Sequence, residues 1–188
     1  MAVGRVAAHF AAHQQTVGAS LEELGGIAEV VGDIMVDALV RGGTLLAFGN
    51  GGSATQASHL VGEVIGRFAR TRRPLAAIAL PADAGAVTCI ANDFGYGALF
   101  ERQLEALAGP GDIAVGLTTS GKSENVLRGL SAAKRRGAAT VALTGAAGLA
   151  GGAADHVLRV PSRVTATVQE VHLMLIHAWC AMIDAAVD

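Results

Sequence analysis

Five short apolar runs dominate the chain: TLLAF (44–48), LAAIAL (75–80), DIAVGL (112–117), TVALT (140–144) and HVLRV (156–160), most of them closed by polar or turn residues. A strand that is apolar at successive positions must be covered on both faces, and parallel strands need crossovers of helical length between them. Helix-like segments fill the gaps at 53–68, at 97–107 with a charged face of Glu101, Arg102 and Glu105, and at 123–136. The alternation predicts an α/β fold, a doubly wound domain with a five-stranded parallel sheet flanked by helices. Before the first strand, residues 3–41 read as two helices, with Ser20 as a candidate N-cap. The 188 residues, 52% hydrophobic and 16% charged, suit one domain with one core: N-terminal helices over 1–42, then the α/β core and C-terminal helix over 43–188.

A net charge of −2 leaves no basic footprint, so nucleic acid is not an expected partner. Cys89 and Cys180 lack metal-ligand spacing and read as buried small hydrophobes in a reducing compartment. The N-terminal apolar stretch is broken by His9 and His13, unlike a signal peptide, and the long uncharged run 137–154 is broken by glycines and threonines. A soluble cytoplasmic protein, with no membrane partner, is the expectation. The last segment, 167–186, is apolar on nearly every face, more than a domain of this size covers by itself. Subunit association is the expected cover, with the N-terminal helices as the other half of the interface.

Two loops at strand ends open helices: FGNGGS (48–53) and TTSGKS (118–123). Free backbone N–H groups at a helix N-terminus, flanked by hydroxyls, bind a phosphate or sugar oxygen; the bland reading is that the glycines are turns and the hydroxyls caps. With strand order 2-1-3-4-5 the two loops face one another across the topological switch point. GLTTSGKS (116–123) also fits the G-x-x-x-x-G-K-[ST] loop of nucleotide hydrolases. Such enzymes need an acidic residue at a neighbouring strand end for magnesium, and none of the apolar runs ends that way; Asp93, in the expected loop ANDFGYG, is the one candidate. The dinucleotide pattern fails too, since GNGGSA ends in Ala54.

Polar groups also stand out on the helices. His59 and Glu63 are four apart and share a face beside Gly62 and Gly66, while Gln169, His172 and His177 interrupt the apolar last segment. Alone, His59 and Glu63 fit a surface pair as well as a site, and His172 reads as a structural histidine. Together, His, Glu, Gln and His from two helices can hold a divalent metal or serve as acid and base.

GNGGSATQASHLVGEVIGR, AIANDFGYGALF, TTSGKSENVLRGLSAAKRRG, ALTG and VQEVHLMLIH, in this order and across most of the chain, resemble the successive motifs of the phosphoheptose isomerases, a branch of the sugar isomerase (SIS) superfamily. The resemblance makes TTSGKS a phosphate loop with no nucleotide implied. It implies a ketose–aldose isomerase of heptose biosynthesis that converts D-sedoheptulose 7-phosphate to D-glycero-D-manno-heptose 7-phosphate through an enediol. Glu63 and His177 fall on the family's acid/base pair. Zinc is implied at His59, Glu63, Gln169 and His177. Asn50, Gly51, Gly52, Ser53, Arg67, Asn92, Asp93, Thr118, Thr119, Ser120, Ser123 and Gln169 fall on positions that contact the sugar or phosphate, and Arg67 is expected on the same helical face as Glu63. A homotetramer is implied as the assembly. The alternative is a non-catalytic SIS adaptor that binds the bacterial replication initiator, whose members lack the Glu and the last His; a sugar-phosphate-binding regulatory domain is a third reading. TTSG in place of STSG, Lys122 in place of Asn, and Ala166 where an acidic residue can occur are the departures from the family pattern.

Overall fold

The computed structural model describes residues 4–188, so position 3, the expected helix start, lies outside the described residues. The first element is one helix, α1 (Arg5–Val40), where two were expected. Ser20 is no cap: its hydroxyl donates back to the Thr16 carbonyl at 2.7 Å, the in-helix alternative open to serine. No proline interrupts this stretch, and Gly18, Gly25 and Gly26 weaken a helix without ending it.

The strands are β1 (Leu45–Gly49), β2 (Ala77–Ala79), β3 (Ile113–Thr118), β4 (Ala139–Thr144) and β5 (His156–Arg159). They form one parallel sheet in the order β2-β1-β3-β4-β5, the order that puts β1 and β3 at the switch point. Leu45 aligns with both Ala77 and Ile113, Ile113 with Ala139, and Val141 with His156. Every residue of β1 and β3 is buried. β2 is shorter than its apolar run because Leu80 and Pro81 turn into a 3-10 segment.

Alternate strand residues feed two separate cores. Leu45, Ala47, Val115 and Leu117 pack under α1, α2 (Gly52–Ile65) and α6 (Thr165–Ala186). Leu46, Phe48, Ala114 and Ala142 pack under α4 (Leu99–Leu107) and α5 (Glu124–Arg135). Gly129 lets α5 settle on Phe48 and Phe100, since a Cβ there would lie 2.9 Å from each.

One helix was not anticipated: α3 (Ala84–Phe94), capped by Asp83, whose carboxylate accepts the Ala86 N–H at 3.0 Å. It therefore carries Asp93 on a helix and not in a loop. Cys89, on the same helix, is exposed, contrary to its expected burial, whereas Cys180 is buried and its thiol is pushed up to about 12 by that burial and by the charges of Glu63 and Asp184.

α6 is long and apolar enough by composition to cross a bilayer. Here it is a core helix, with Ile176, Trp179, Cys180 and Ile183 in the larger core. Two polar groups fix it at either end of the sheet layer. Asp184 accepts from Arg72 Nε at 2.8 Å and from the Ala69 and Arg70 N–H groups at 2.8 and 2.9 Å. Arg72 in turn donates to the carbonyls of Glu63 (2.8 Å) and Val64 (2.9 Å) at the end of α2. Burial alone would raise the Asp184 carboxyl; the Arg70 and Ala69 N–H groups and the guanidinium outweigh it and hold it below the usual carboxylate range. His172, fully buried, donates from Nε2 to the Thr144 carbonyl at 3.2 Å, while its Nδ1 has no hydrogen-bond partner.

Burial lowers His172 to about 4, partly opposed by the Thr144 hydrogen bond. The unfolded chain thus binds this proton below about pH 6.5 and the folded chain only near 4. Stability is complete above the higher value and falls as the pH drops through this window, by up to about 3 kcal/mol. His172→Gln, which keeps a donor but cannot titrate, is expected to flatten the pH 4 to 6.5 limb of a urea-denaturation stability profile; an unchanged slope would show that His172 is not its source.

Candidate active site

β1 ends at Gly49, and the chain turns through Asn50 and Gly51 (φ +54°) directly into α2. The Asn50 carbonyl accepts the Ser53 N–H at 3.0 Å and the Gly51 carbonyl accepts the Ala54 N–H at 2.9 Å, so the turn is tight. Gly52 abuts the Gln169 side chain of α6: a Cβ there would lie 2.7 Å from the amide nitrogen, so that flexible side chain would have to shift. That amide reaches the hydroxyl of buried Ser53 at 3.5 Å.

β3 ends one strand away in a cluster of hydroxyls. Thr118 Oγ1 lies 3.1 Å from Ser123 Oγ and 3.4 Å from Ser120 Oγ, and the Lys122 N–H donates to Ser120 Oγ at 3.2 Å. Ser123 is the N-cap position of α5, and its carbonyl accepts from Val126 and Leu127, both at 3.0 Å. Gly121 sits at φ +68°, and a side chain there would collide with the Gly148 carbonyl. Thr119 is half-buried and its carbonyl accepts the Gly145 N–H at 3.2 Å. The two loops thus present two helix N-termini across the switch point, an arrangement that attracts an anion. Among the described residues no strand ends in Asp or Glu; the final residues are Gly49, Ala79, Thr118, Thr144 and Arg159, so the hydrolase-like motif lacks its magnesium partner there.

About two to three turns along α2, a second cluster faces α6. His59 and His177 bring their Nε2 atoms to 3.0 Å, one donating and one accepting, with the rings edge to face at 66°. Glu63 Oε1 is 3.6 Å from His59 Nε2, and the Phe68 ring packs on His177 with centroids 5.6 Å apart. Glu63 retains 22% exposure, so it is reachable from solvent while its backbone is held by Arg72. Two imidazoles and a carboxylate are the donor types zinc takes. Among the described residues, however, no group of three His, Cys, Asp or Glu forms a ready cage, and Gln169 faces Ser53, not the imidazoles.

The remaining expected residues fall in two places. Asn92 and Asp93 occupy the last turn of α3, exposed and joined by an Asn92 Nδ2 to Asp93 Oδ1 bond of 2.7 Å. Arg67 is not on the helical face of Glu63: α2 ends at Ile65, Gly66 (φ −80°, ψ −101°) leads the chain out of the helix, and Arg67 is exposed beyond it. Sequence reasoning missed Asn125, whose amide bonds the Asn50 side chain, and Tyr96, whose hydroxyl joins the same group. The signal available for Asn125 was a polar residue just inside α5, opposite GNGGS.

The SIS domain family profile matches residues 9–145. A probable phosphoheptose isomerase of Thermoplasma acidophilum is 48% identical over 166 residues, 88% of this chain and 89% of that protein. Among solved structures, a phosphoheptose isomerase from Neisseria gonorrhoeae superimposes with a TM-score of 0.87 at 40% identity, and one from Francisella tularensis with 0.90 at 33%, each over 96% of this chain and 97% of the other. Fold and sequence agree over nearly the whole length, and the chain belongs to the SIS-domain family and, within it, to the phosphoheptose isomerases.

Proposed function

We propose that the protein interconverts D-sedoheptulose 7-phosphate and D-glycero-D-manno-heptose 7-phosphate. The observation that carries this reading is the convergence of Glu63, His59 and His177 on facing helices, beside two helix N-termini suited to a phosphate. The phosphate is held by the N–H groups and hydroxyls of Thr118, Thr119, Ser120 and Ser123, and the sugar by the Asn50–Ser53 turn, Gln169, Arg67, Asn92 and Asp93. Moving a carbonyl from C2 to C1 requires removal of a C1 proton, an enediol, and protonation at C2. Glu63 carries the carbon-bound proton; His177 exchanges protons with the O1 and O2 oxygens. The Phe68 ring packs beside His177 as an apolar wall of the crevice.

Zinc fits the donor types of His59, Glu63, Gln169 and His177, which would hold it if the Gln169 amide turned away from Ser53. When bound, it polarises the carbonyl and stabilises negative charge on the sugar oxygens. Glu63→Gln and His177→Ala are each expected to lower turnover ~10²-fold or more, with substrate affinity changed much less. The double variant should be little worse than the poorer single. These comparisons need metal content measured alongside, because both residues are proposed ligands; chelation should depress parental activity and added zinc restore it. Near-parental turnover in either folded variant would remove that residue from the mechanism. Nothing in the residues or the relatives favours the adaptor reading.

The assembly we propose is a homotetramer, working in the cytoplasm where the thiols of Cys89 and Cys180 stay reduced. Its support is an uncovered apolar strip shared by α1 and α6: Leu21 is 74% exposed, Val30 51% and Met174 46%. A groove between the two helices runs along Val17, Leu21, Leu24, Val171, Met174 and Leu175. Light scattering is expected to give four times the chain mass, and Leu21→Arg to break the assembly down. A fully active monomer at micromolar concentration would contradict this.

A further inference from the structure

The Asn50 side chain, at the tip of the β1–α2 turn, is already engaged before any ligand arrives. Its Nδ2 donates to Asn125 Oδ1 at 2.8 Å, and its Oδ1 accepts from Asn125 Nδ2 at 2.8 Å and from Tyr96 Oη at 2.9 Å. Both lone pairs of the amide oxygen are therefore used, and a single N–H remains for a sugar. Asn125 is 3% exposed, the second residue of α5, and Asn50 is the residue that satisfies its amide. A reciprocal amide pair fixes both separation and orientation, because two antiparallel bonds must keep their length at once.

Tyr96 brings in a third element. Its ring is 55% exposed, so core packing does not hold it there. The helix before it, α3, has no buried residue, and it exits through Gly95 at φ +81° directly into Tyr96. The connection then passes against the start of α5, where a Cβ on Gly97 would lie 2.8 Å from the Glu124 carboxylate. The Tyr96 hydroxyl is thus a polar tie between the end of a lightly packed helix, which carries Asn92 and Asp93, and the turn at the phosphate crevice.

We infer that Asn125 and Tyr96 are positioning residues for the isomerisation. Through Asn50, Asn125 sets the spacing of the α2 and α5 N-termini, and Tyr96 docks the Asn92–Asp93 end of α3 onto the same amide. The inference rests on the sugar-phosphate reading of this crevice. It separates two effects that a general loosening of the fold would merge: Asn125 governs the phosphate end of the substrate, and Tyr96 the sugar end alone.

Tyr96→Phe removes one exposed hydroxyl and should raise KM for sedoheptulose 7-phosphate by about tenfold, the scale of one lost hydrogen bond, while the inhibition constant of inorganic phosphate stays at the parental value. Asn125→Ala should raise both constants by about tenfold or more. Adding Tyr96→Phe to Asn125→Ala should change little further, since Tyr96 acts through the amide that Asn125 holds. A parental KM in Tyr96→Phe, or a phosphate constant that rises as much as KM, would overturn the inference, and this variant decides even if Asn125→Ala fails to fold. If the parental protein does not isomerise the substrate, the functional reading falls; phosphate binding by calorimetry then decides the brace alone, supported by weakening in Asn125→Ala with none in Tyr96→Phe, and overturned by any other pattern.

Discussion

The buried pair of Arg72 and Asp184 is the constraint on which the site depends. The two side chains are 1% and 5% exposed, and between them they hold the carbonyls of Glu63 and Val64, the N–H groups of Ala69 and Arg70, and the last turn of α6. A charge pair whose two groups make several further hydrogen bonds can persist in a core, whereas removal of one partner leaves an uncompensated charge that costs about 3–5 kcal/mol. Its effect here is geometric as much as energetic. α2 carries Glu63 and α6 carries His177, and the pair pins the end of one helix to the other seven residues past that histidine. At the other end of the same contact, the Gln56 side chain donates to the Gln169 carbonyl at 2.6 Å. The cluster of His59, Glu63 and His177 lies between these two ties.

The sheet supplies the second reference frame. Its switch point fixes where the two loops emerge, and His172 joins α6 to the end of β4, beside the strand that carries the hydroxyl cluster. The helix bearing His177 is therefore tied both to the sheet, through His172 and Thr144, and to the end of α2, through Asp184 and Arg72. This matters for an isomerase because transfer between adjacent carbons requires the phosphate, seated at one end of the sugar, to determine where C1 and C2 fall.

What the sequence made legible follows from burial. Strands covered on both faces are apolar without interruption, so β1, β3 and β4 were readable as runs, and the paired glycine loops gave the crevice its location. Helix α3 was not anticipated because it buries no residue and because Asn92, Asp93, Gly95 and Gly97 at and beyond its end read as a loop. The single α1 was read as two because serine looks the same as a cap and as a back-bonded interior residue. Arg67 was misplaced by extending the α2 face past Gly66. His59 and Glu63, a turn apart on one helix, could be paired by inspection; Arg72 and Asp184, Asn50 and Asn125, or Tyr96 and Asn50 could not, since each contact joins distant segments and depends on the finished packing.

In the mechanism proposed above, a side chain open to exchange carries a proton between C1 and C2 of a phosphate-anchored ketose. The measurement that meets it most directly is conversion of sedoheptulose 7-phosphate in deuterium oxide, followed by proton and carbon NMR at low conversion. Glu63, reachable from solvent, exchanges its proton between removal and return, so the aldose phosphate should form with deuterium at C2. Formation of no aldose phosphate, or of one that carries only the original C1 hydrogen at C2, would contradict the account.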